Sequence, residues 1–400
     1  MTAGPLDGTV VIDLGQIYNA PYATLLMALA GARVIKVEPP GGENLRGRGR
    51  TAGAGAPFVM LNSSKEAVTL NLKHPEGAAL LRRMADRADV LVENFRPGVM
   101  ARLGLSGAAL RESNPRLVYA SGSGFGSTGP YRDFPAMDLT IQAMSGVMSV
   151  TGFPDRPPVK SGPALGDFLG GIHLYGAIVT ALYERERTGV GVYVEVAMLD
   201  AVYPALTSSL GLLFGGTGEP PERTGNRHSG LAESPYNVYP AGDGGWVALF
   251  CVTEGHWAGL VKVMGHSDLA ARDDLASRIG RVAHMDEIDA IVAAWTERLP
   301  RDEVIGELRR AGVPCAPVRD LSEVAADPHL LERGMLRTIE HPQFGPITVP
   351  ASPLRIGAYR AEVTPSPALG QDNHAVFHDW LGLSDEELDA LADRGIFGDT

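Results

Sequence analysis

The fold is decided by TVVIDLGQIYNAPYATLLMALAGARVIKVE, residues 9–38, in which two short β-branched runs flank a helical pattern. The runs TVVID (9–13) and RVIKVE (33–38) are typical of strands that are buried on both faces. The residues between them, around 23–30, are mostly Ala and Leu, which favour a helix. A strand, a helix and a second strand in this order predict two parallel strands joined by a crossover helix.

The same alternation continues through the first half of the chain, with helical patterns between further β-branched runs. Such a repeat predicts an α/β fold in which helices cover both faces of a doubly wound parallel sheet. The additional predicted strands are AVTLNL (67–72), VLVENF (90–95), RLVYASG (116–122) and GVYVEVAM (191–198).

The length of 400 residues predicts two domains, because single cores stop growing near ~250 to 300 residues. The stretch GGTGEPPERTGNRHSG (215–230) is rich in Gly and Pro and has no periodicity, as expected of a linker. We therefore predict a large domain whose first part is 1–214, a linker at 215–235, a smaller α+β domain at 236–327 and a segment at 328–400 that returns to the large domain.

The composition argues against several classes of partner. A net charge of −12 disfavours nucleic acid, whose phosphates require a basic face. The two cysteines are too few for a disulfide framework or a zinc site. The N-terminus has no signal-peptide pattern, and no uninterrupted apolar run reaches the ~18 residues of a membrane span. We expect a cytoplasmic enzyme that does not bind membranes.

Two motifs suggest cofactors that we do not expect. GFGSTG (124–129) fits the G-x-G-x-x-G pattern of dinucleotide sites, but Pro130 and Pro135 follow it where a helix should begin. We predict a glycine-lined active-site loop there and no nicotinamide cofactor.

His374 and His378 have the spacing of metal ligands on a helix, but no third ligand is apparent in the sequence. We predict a surface helix and no metal.

Asp167 is the most informative residue, since it lies within SGPALGDFLGGIHLYGAIVTALY (161–183), before a long apolar helix. It has two compatible interpretations. One is a helix N-cap, where a carboxylate accepts bonds from free N–H groups. The other is a nucleophile that the helix N-terminus keeps ionised. The nearby Gly170 and Gly171 lower helix stability and therefore indicate that space is needed beside the carboxylate.

Seven segments spread along the chain form a distinctive combination: APYATLLMALAGARVIKVE (20–38), NLKHPEG (71–77), DVLVENFRPGVMARLGL (89–105), SGPALGDFLGG (161–171), ERERTGVGVYVEVAMLDAV (184–202), AGVPCAPV (311–318) and PALGQDN (367–373). Together they resemble the family III CoA-transferases, which include the α-methylacyl-CoA racemases as a divergent branch. The resemblance implies a large Rossmann-like domain, a smaller α+β domain and a homodimer of interlocked rings.

The resemblance also implies the chemistry. Asp167 would attack an acyl-CoA thioester to give a mixed anhydride, and a small carboxylic acid would then accept CoA. Asp138 would assist at the thioester, and backbone N–H groups near Gly170 and Gly171 are candidate oxyanion donors. Coenzyme A is then a substrate, and neither a metal nor NAD takes part.

Further positions are implied to contact acyl-CoA. By motif position the CoA contacts are Leu72, Lys73, Asn94, Phe95 and Arg102. The basic cluster Arg46, Arg48 and Arg50 is a candidate for the phosphates, and Tyr18, Met137 and Met198 are candidates for an apolar acyl pocket.

Three alternatives remain open from the sequence. A racemase needs a His in the triplet that here reads Ala136-Met137-Asp138, and Met cannot carry the proton. An acyl-CoA-binding protein without catalysis would not depend on Asp167. A nicotinamide dehydrogenase would depend on the 124–129 loop.

Overall fold

A computed structural model describes residues 3–47, 55–216 and 218–398. The chain divides into two compact units. The first contains residues 1–141, 163–204 and 327–400, and the second contains residues 142–162 and 205–326.

A six-stranded sheet, parallel throughout, organises the first unit. Its strand order is β3-β2-β1-β4-β5-β6, so the chain moves outward from β1 in one direction and from β4 in the other. The predicted α/β fold with a parallel sheet is confirmed. The strands are β1 (Val10–Asp13), β2 (Arg33–Glu38), β3 (Glu66–Thr69), β4 (Val90–Glu93), β5 (Val118–Ser123) and β6 (Tyr193–Ala197). The two-domain arrangement, the Rossmann-like character and the dimer stay predictions.

In the first half of the chain the described helices alternate with the strands as the sequence predicts. The described helices of the whole chain are α1 (Asn19–Ala28), α2 (Asn44–Gly47), α3 (Ala56–Asn62), α4 (Pro75–Ala85), α5 (Val99–Arg102), α6 (Gly107–Ser113), α7 (Asp138–Met144), α8 (Val147–Val150), α9 (Leu165–Thr188), α10 (Met198–Val202), α11 (Thr207–Gly215), α12 (Glu254–Met264), α13 (Ser267–Ala270), α14 (Arg278–Ala283), α15 (Met285–Thr296), α16 (Arg301–Arg310), α17 (Leu321–Ala325), α18 (Pro328–Glu332) and α19 (Asp385–Asp393). Single turns of 3-10 helix occupy Tyr203–Leu206 and Asp273–Leu275, and Ala375–Trp380 is a π-helix.

Both faces of the sheet are buried, because successive residues of each strand point to opposite sides. Ile12 and Leu91 pack into one core with α4, whereas the neighbouring Val11 and Val90 pack into another with α1 and α9. This explains why the strands are apolar without alternation. In a sheet of this order, a crevice opens at the carboxyl ends of β1 and β4, where the connections diverge.

The C-terminal segment covers the exposed edge of the sheet. Asp372 Oδ2 accepts a hydrogen bond from the backbone N–H of Ala67 (2.7 Å), and Asn373 Oδ1 accepts one from Thr69 (2.9 Å). Both acceptors therefore satisfy donors of edge strand β3 that would otherwise lack partners. An antiparallel hairpin precedes them, formed by β10 (Leu336–His341) and β11 (Gly345–Pro350).

The second unit contains an antiparallel sheet in the order β7-β8-β9, made of β7 (Tyr236–Pro240), β8 (Trp246–Phe250) and β9 (Cys315–Pro317). Residues 142–162 and 205–214, which the sequence analysis placed in the large domain, belong to this unit by their contacts. Two bonds contribute: Arg223 Nε donates to the carbonyl of Phe153 (3.0 Å), and the Gly225 N–H donates to Gly152 (2.9 Å).

Two segments, Leu165–Thr188 and Met198–Gly215, are long and apolar enough to cross a membrane by length and composition alone. Within the first unit, Leu174 and Ile178 of α9 are fully buried in the core beside the sheet. The second segment is interrupted by the 3-10 turn at Tyr203–Leu206. The apolar character of α9 is therefore explained by its packing.

Candidate active site

A cavity of about 960 Å³ lies in the first unit at the carboxyl ends of β1, β4 and β5. The loops after these strands line it, together with residues from the 132–140 segment and from the starts of α9 and α10. The position is the one that the strand order favours for a ligand. Of the predicted site residues, the cavity brings together Asn94, Phe95, Met137, Asp167 and Met198.

Asp167 lies in the first turn of α9, two residues after the helix begins. The prediction that it is the N-cap is wrong, because Ala164 occupies that position and makes no side-chain cap bond. One of the free N–H groups at this helix end, that of Gly166, instead donates to a side chain from another segment, Asp138 Oδ1, at 2.8 Å. The carboxylate of Asp167 is thus not used for capping.

The protonation of Asp167 also differs from expectation. The residue is only 8% exposed, and this burial, followed by the negative charge of Asp138, raises the pKa of Asp167 from 3.8 to about 7. The prediction that the helix N-terminus would keep the carboxylate fully ionised is therefore wrong, since desolvation acts in the opposite direction. Near neutral pH, both protonation states are populated.

The glycines of α9 serve a different purpose from the predicted one. Gly170 and Gly171 lie in the second turn, where N–H groups bond to carbonyls four residues earlier, so the prediction that they are oxyanion donors is wrong. A Cβ at Gly170 would lie 2.3 Å from Nδ2 of Asn19, and one at Gly171 would lie 2.6 Å from the Asn19 carbonyl oxygen. The glycines give space to the start of α1.

Asn94 joins the loops after β1 and β4. Its Nδ2 donates to the Gln16 carbonyl (2.9 Å), and its Oδ1 accepts from the Gln16 N–H (2.8 Å). Phe95 follows and donates its N–H to Glu93 Oε2 at 2.8 Å. Burial raises the pKa of Glu93 to about 7. Asn94 therefore shapes the cavity wall, a role that is compatible with its predicted contact to CoA.

A buried group of charges supports the same wall and was missed by the sequence analysis. Lys65 Nζ lies 2.9 Å from Asp13 Oδ2, and Lys36 Nζ lies 3.7 Å from Glu43 Oε1. Burial would raise the pKa of Asp13, but the charges of Lys65 and Lys36 hold it below its usual value. Glu43 also accepts a hydrogen bond from the N–H of Ile17, whose φ of 63° is unusual for a branched residue. The motif VIKVE contains the signal, since a Lys between buried apolar residues requires a partner.

The other predicted contacts lie outside the cavity lining. Tyr18 stacks on Phe168, with ring centroids 6.1 Å apart. Arg46 binds Glu38 (2.7 Å) and lies over the ring of Phe58 (3.9 Å). Leu72 packs against the core, Lys73 and Arg102 are exposed, and Arg48 and Arg50 lie outside the described residues. The roles of these residues in CoA binding stay predictions.

The charged lining of the cavity was only partly foreseen. Among the described residues that line it, Arg96 and Arg132 are the cations, and Glu43 is the carboxylate besides Asp167. Arg96 directly follows the Asn-Phe pair, so its place in the FRPG motif was the available signal. An anionic ligand would meet these two guanidinium groups.

The whole chain matches known proteins. Residues 6–373 match the family model described as CoA-transferase family III. Acetyl-CoA:oxalate CoA-transferase of Acetobacter aceti is 40% identical over 359 residues, which cover 89% of this chain and 90% of that protein. Succinyl-CoA–D-citramalate CoA-transferase of Chloroflexus aurantiacus is 36% identical, over 97% and 96% of the two chains. The chain belongs to CoA-transferase family III.

A solved structure agrees with this assignment. The crystal structure of a CAIB/BAIF family protein from Brucella suis superposes with a TM-score of 0.83 at 32% identity, covering 94% of this chain and 100% of that one. The α/β architecture described above is therefore that of solved members of the superfamily. As a family III member, the protein is a CoA-transferase, and acyl-CoA is its substrate.

Part of the loop at 124–129 lines the cavity, and its role as an active-site loop stays a prediction. Gly124 and Phe125 line the cavity, and no helix begins until Asp138. Gly126 and Gly129 each have a φ of 83°, which only glycine adopts freely. No histidine is among the described residues that line the cavity.

His374 and His378 do have a nearby third group, which the sequence analysis did not find. Together with Asp385, their possible ligand atoms lie within 4.8 Å of one another. His374 Nε2 is 3.2 Å from Asp385 Oδ1, and His378 Nδ1 is 2.7 Å from Asp379 Oδ1. The side chains of His374 and Asp385 are more than half exposed, which fits a surface hydrogen-bond cluster.

Proposed function

We propose that this CoA-transferase moves CoA from an acyl-CoA thioester to a small carboxylic acid, with Asp167 as the covalent nucleophile. One observation carries the proposal: the Asp167 carboxylate faces a cavity of about 960 Å³, is almost fully buried and accepts no hydrogen bond from any residue in the described ranges. A buried carboxylate without a structural partner costs stability, and a functional role explains why it is present.

The proposed reaction begins with a bond between an Asp167 oxygen and the thioester carbonyl carbon. The C–S bond breaks, CoA leaves as a thiolate, and a mixed anhydride remains. The thiolate then attacks the aspartyl carbonyl, which releases the donor acid and leaves an aspartyl-CoA thioester. The acceptor carboxylate attacks this thioester to form a second anhydride and free the thiolate again. Finally, the thiolate attacks the acyl carbonyl of the acceptor, which yields the new acyl-CoA and regenerates Asp167.

Burial supports this chemistry in two ways. The nucleophilic form is the carboxylate, and a carboxylate with little hydration is more reactive because fewer water molecules must leave before attack. The anhydrides hydrolyse readily, so a dry site also protects them. Because burial raises the pKa of Asp167 to about 7, the proportion of nucleophilic enzyme should rise with pH across the neutral range.

The substrates are proposed from the cavity and from the relatives. Arg96 and Arg132 can neutralise an anionic ligand, and Met137, Met198 and Phe134 supply an apolar surface for the acyl chain. The two relatives are named for acetyl-CoA with oxalate and for succinyl-CoA with D-citramalate, so we propose small carboxylic acids of this kind as acceptors. We further propose a large Rossmann-like domain with a smaller α+β domain, an interlocked homodimer, a cytoplasmic location and Asp138 as an assisting group. No metal and no NAD enter the proposed steps.

The test is a screen of acetyl-CoA and succinyl-CoA against oxalate, D-citramalate, malate and glutarate, read by mass spectrometry of the acyl-CoA products. Hydroxylamine added during turnover should convert Asp167 to the hydroxamate. Asp167→Asn should lose more than 1,000-fold in kcat, whereas the exposed Asp302→Asn, away from the cavity lining, should stay within twofold. Undiminished transfer by Asp167→Asn would refute the proposal. Deuterium uptake at the acyl α-carbon without an acceptor would indicate a racemase instead.

A further inference from the structure

Asn19 contacts the backbone of the nucleophile from a distant part of the sequence. It is the first residue of α1 and only 3% exposed. Its side-chain Nδ2 donates a hydrogen bond of 3.2 Å to the main-chain oxygen of Asp167, 148 residues away. The amide orientation follows from this contact, because the opposite one would place two oxygens against each other.

The surrounding backbone leaves space for this one side chain. A Cβ at Gly122 in β5 would lie 2.4 Å from Oδ1 of Asn19, and a Cβ at Gly170 in α9 would lie 2.3 Å from Nδ2. Real Cβ atoms do not approach other atoms so closely, so a side chain at either position would force the Asn19 carboxamide to move. Two separate elements thus form a slot for the Asn19 carboxamide.

The direction of the Asp167 carboxylate depends on its backbone. In the described ranges no side chain or N–H group bonds to this carboxylate, so the first turn of α9 determines where it points. Two side chains hold that turn. Asp138 binds the Gly166 N–H at 2.8 Å, and Asn19 binds the Asp167 carbonyl.

We propose that Asn19 is a positioning residue for the transfer reaction: its carboxamide, held between Gly122 and Gly170, fixes the first turn of α9 so that Asp167 is aimed at the thioester carbon. This inference deepens the proposed function and rests on it. Asn19 acts by holding the backbone of Asp167 and need not touch the substrate.

The unpaired oxygen of the same amide supports this role. Oδ1 of Asn19 is buried and accepts no hydrogen bond from the part of the chain that the structure describes. A buried acceptor without a donor lowers stability, and an apolar side chain of similar size would avoid that cost. A purely structural residue at this place would therefore not need to be Asn. The donor Nδ2, which reaches Asp167, supplies the reason for an amide.

Two variants and a matched control test the proposal. Asn19→Ala removes the hydrogen bond, and Asn19→Asp keeps the shape but replaces the donor with an oxygen. The control is Asn114→Ala, since Asn114 also donates to main-chain carbonyls (Ala85 and Ala88, both 2.9 Å) but does not line the cavity. The measurements are kcat with the most active pair of the screen above, the Kd of CoA by calorimetry, and hydroxylamine trapping.

We expect kcat to fall about 10- to 100-fold in Asn19→Ala, because small misplacements of reacting groups have effects of that size. The Kd of CoA should change less than threefold, and Asn114→Ala should keep its kcat within twofold. In Asn19→Asp, the added negative charge should also raise the apparent pKa of kcat/KM, alongside the existing effect of Asp138. That shift would show that residue 19 lies close to the Asp167 carboxylate, and the positioning role itself is judged from the fall in kcat at an unchanged Kd of CoA.

The outcomes separate the two proposals. Wild-type kcat in both Asn19 variants, with Asp167 still trapped by hydroxylamine, would overturn the role of Asn19 and leave the nucleophile intact. Equal losses of kcat in Asn19→Ala and Asn114→Ala would also overturn it. Absence of trapping in the wild-type enzyme would contradict the proposed function itself. If Asn19→Ala does not fold, the shape-conserving Asn19→Asp decides through its kcat and its Kd for CoA.

Discussion

Replacing Asp167 with Asn should make the protein more stable, and increasingly so as the pH rises. Burial raises the pKa of Asp167 from 3.8 to about 7 in the folded protein, so folding favours the protonated form. The contribution of Asp167 to stability is therefore fully present below pH 3.8 and is lost as the pH rises to about 7, because ionisation of this group is easier in the unfolded chain. The Asn variant has no such dependence.

The size of the effect follows from the two pKa values at about 1.4 kcal/mol per pH unit. The cost of the wild-type carboxyl is about 2 kcal/mol at pH 5 and about 4 kcal/mol at pH 8. The stability advantage of Asp167→Asn should thus grow by about 2 to 3 kcal/mol between these pH values. Any constant cost of burying the amide cancels in this comparison.

Urea unfolding of both proteins at pH 5 and pH 8, followed by fluorescence, measures the difference. Asp302→Asn is the control, because its side chain is 84% exposed and lies away from the cavity, so the stability difference should be the same at both pH values. An advantage of Asp167→Asn that is equal at pH 5 and pH 8 would refute the argument that burial raises this pKa. An activity assay on the same samples should show the loss of transfer.

Two further predictions concern the same site. In steady-state kinetics, kcat/KM of the wild-type enzyme should rise with pH to a plateau above an apparent pKa of about 7. Asp138→Asn should shift that pKa downward, because it removes a negative charge near Asp167. An unshifted profile in this variant would exclude the effect of the Asp138 charge. In thermal unfolding, Gly170→Ala should destabilise the protein by about 1 to 3 kcal/mol, because the new Cβ would lie 2.3 Å from Asn19 Nδ2. Gly176→Ala, in the same helix, has open space around the new Cβ and should stabilise the protein by about 0.5 to 1 kcal/mol. Equal effects of the two glycine substitutions would show that the slot around the carboxamide is not tight.

Much of the architecture could be predicted because it depends on neighbouring residues in the chain. The run RVIKVE forms β2 with the predicted ends, and β1 lies within the predicted run TVVID. Strand formation follows from local apolar and β-branched content, so the sequence was sufficient. Asp167 and the loop at 124–129 were predicted as site features from motifs of the same local kind, and Asp167 and part of the loop line the cavity.

The sequence alone thus determined the succession of strands and helices along the chain, the family and the candidate nucleophile, because these depend on short patterns along the chain. Only the tertiary structure decided how the nucleophile is held. Asn19 meets Asp167 across 148 residues, and the glycines that admit it lie in β5 and α9. Likewise, the raised pKa of Asp167 depends on its burial and on Asp138. Contacts and desolvation of this kind are properties of packing between distant segments, which residue spacing along the chain does not specify.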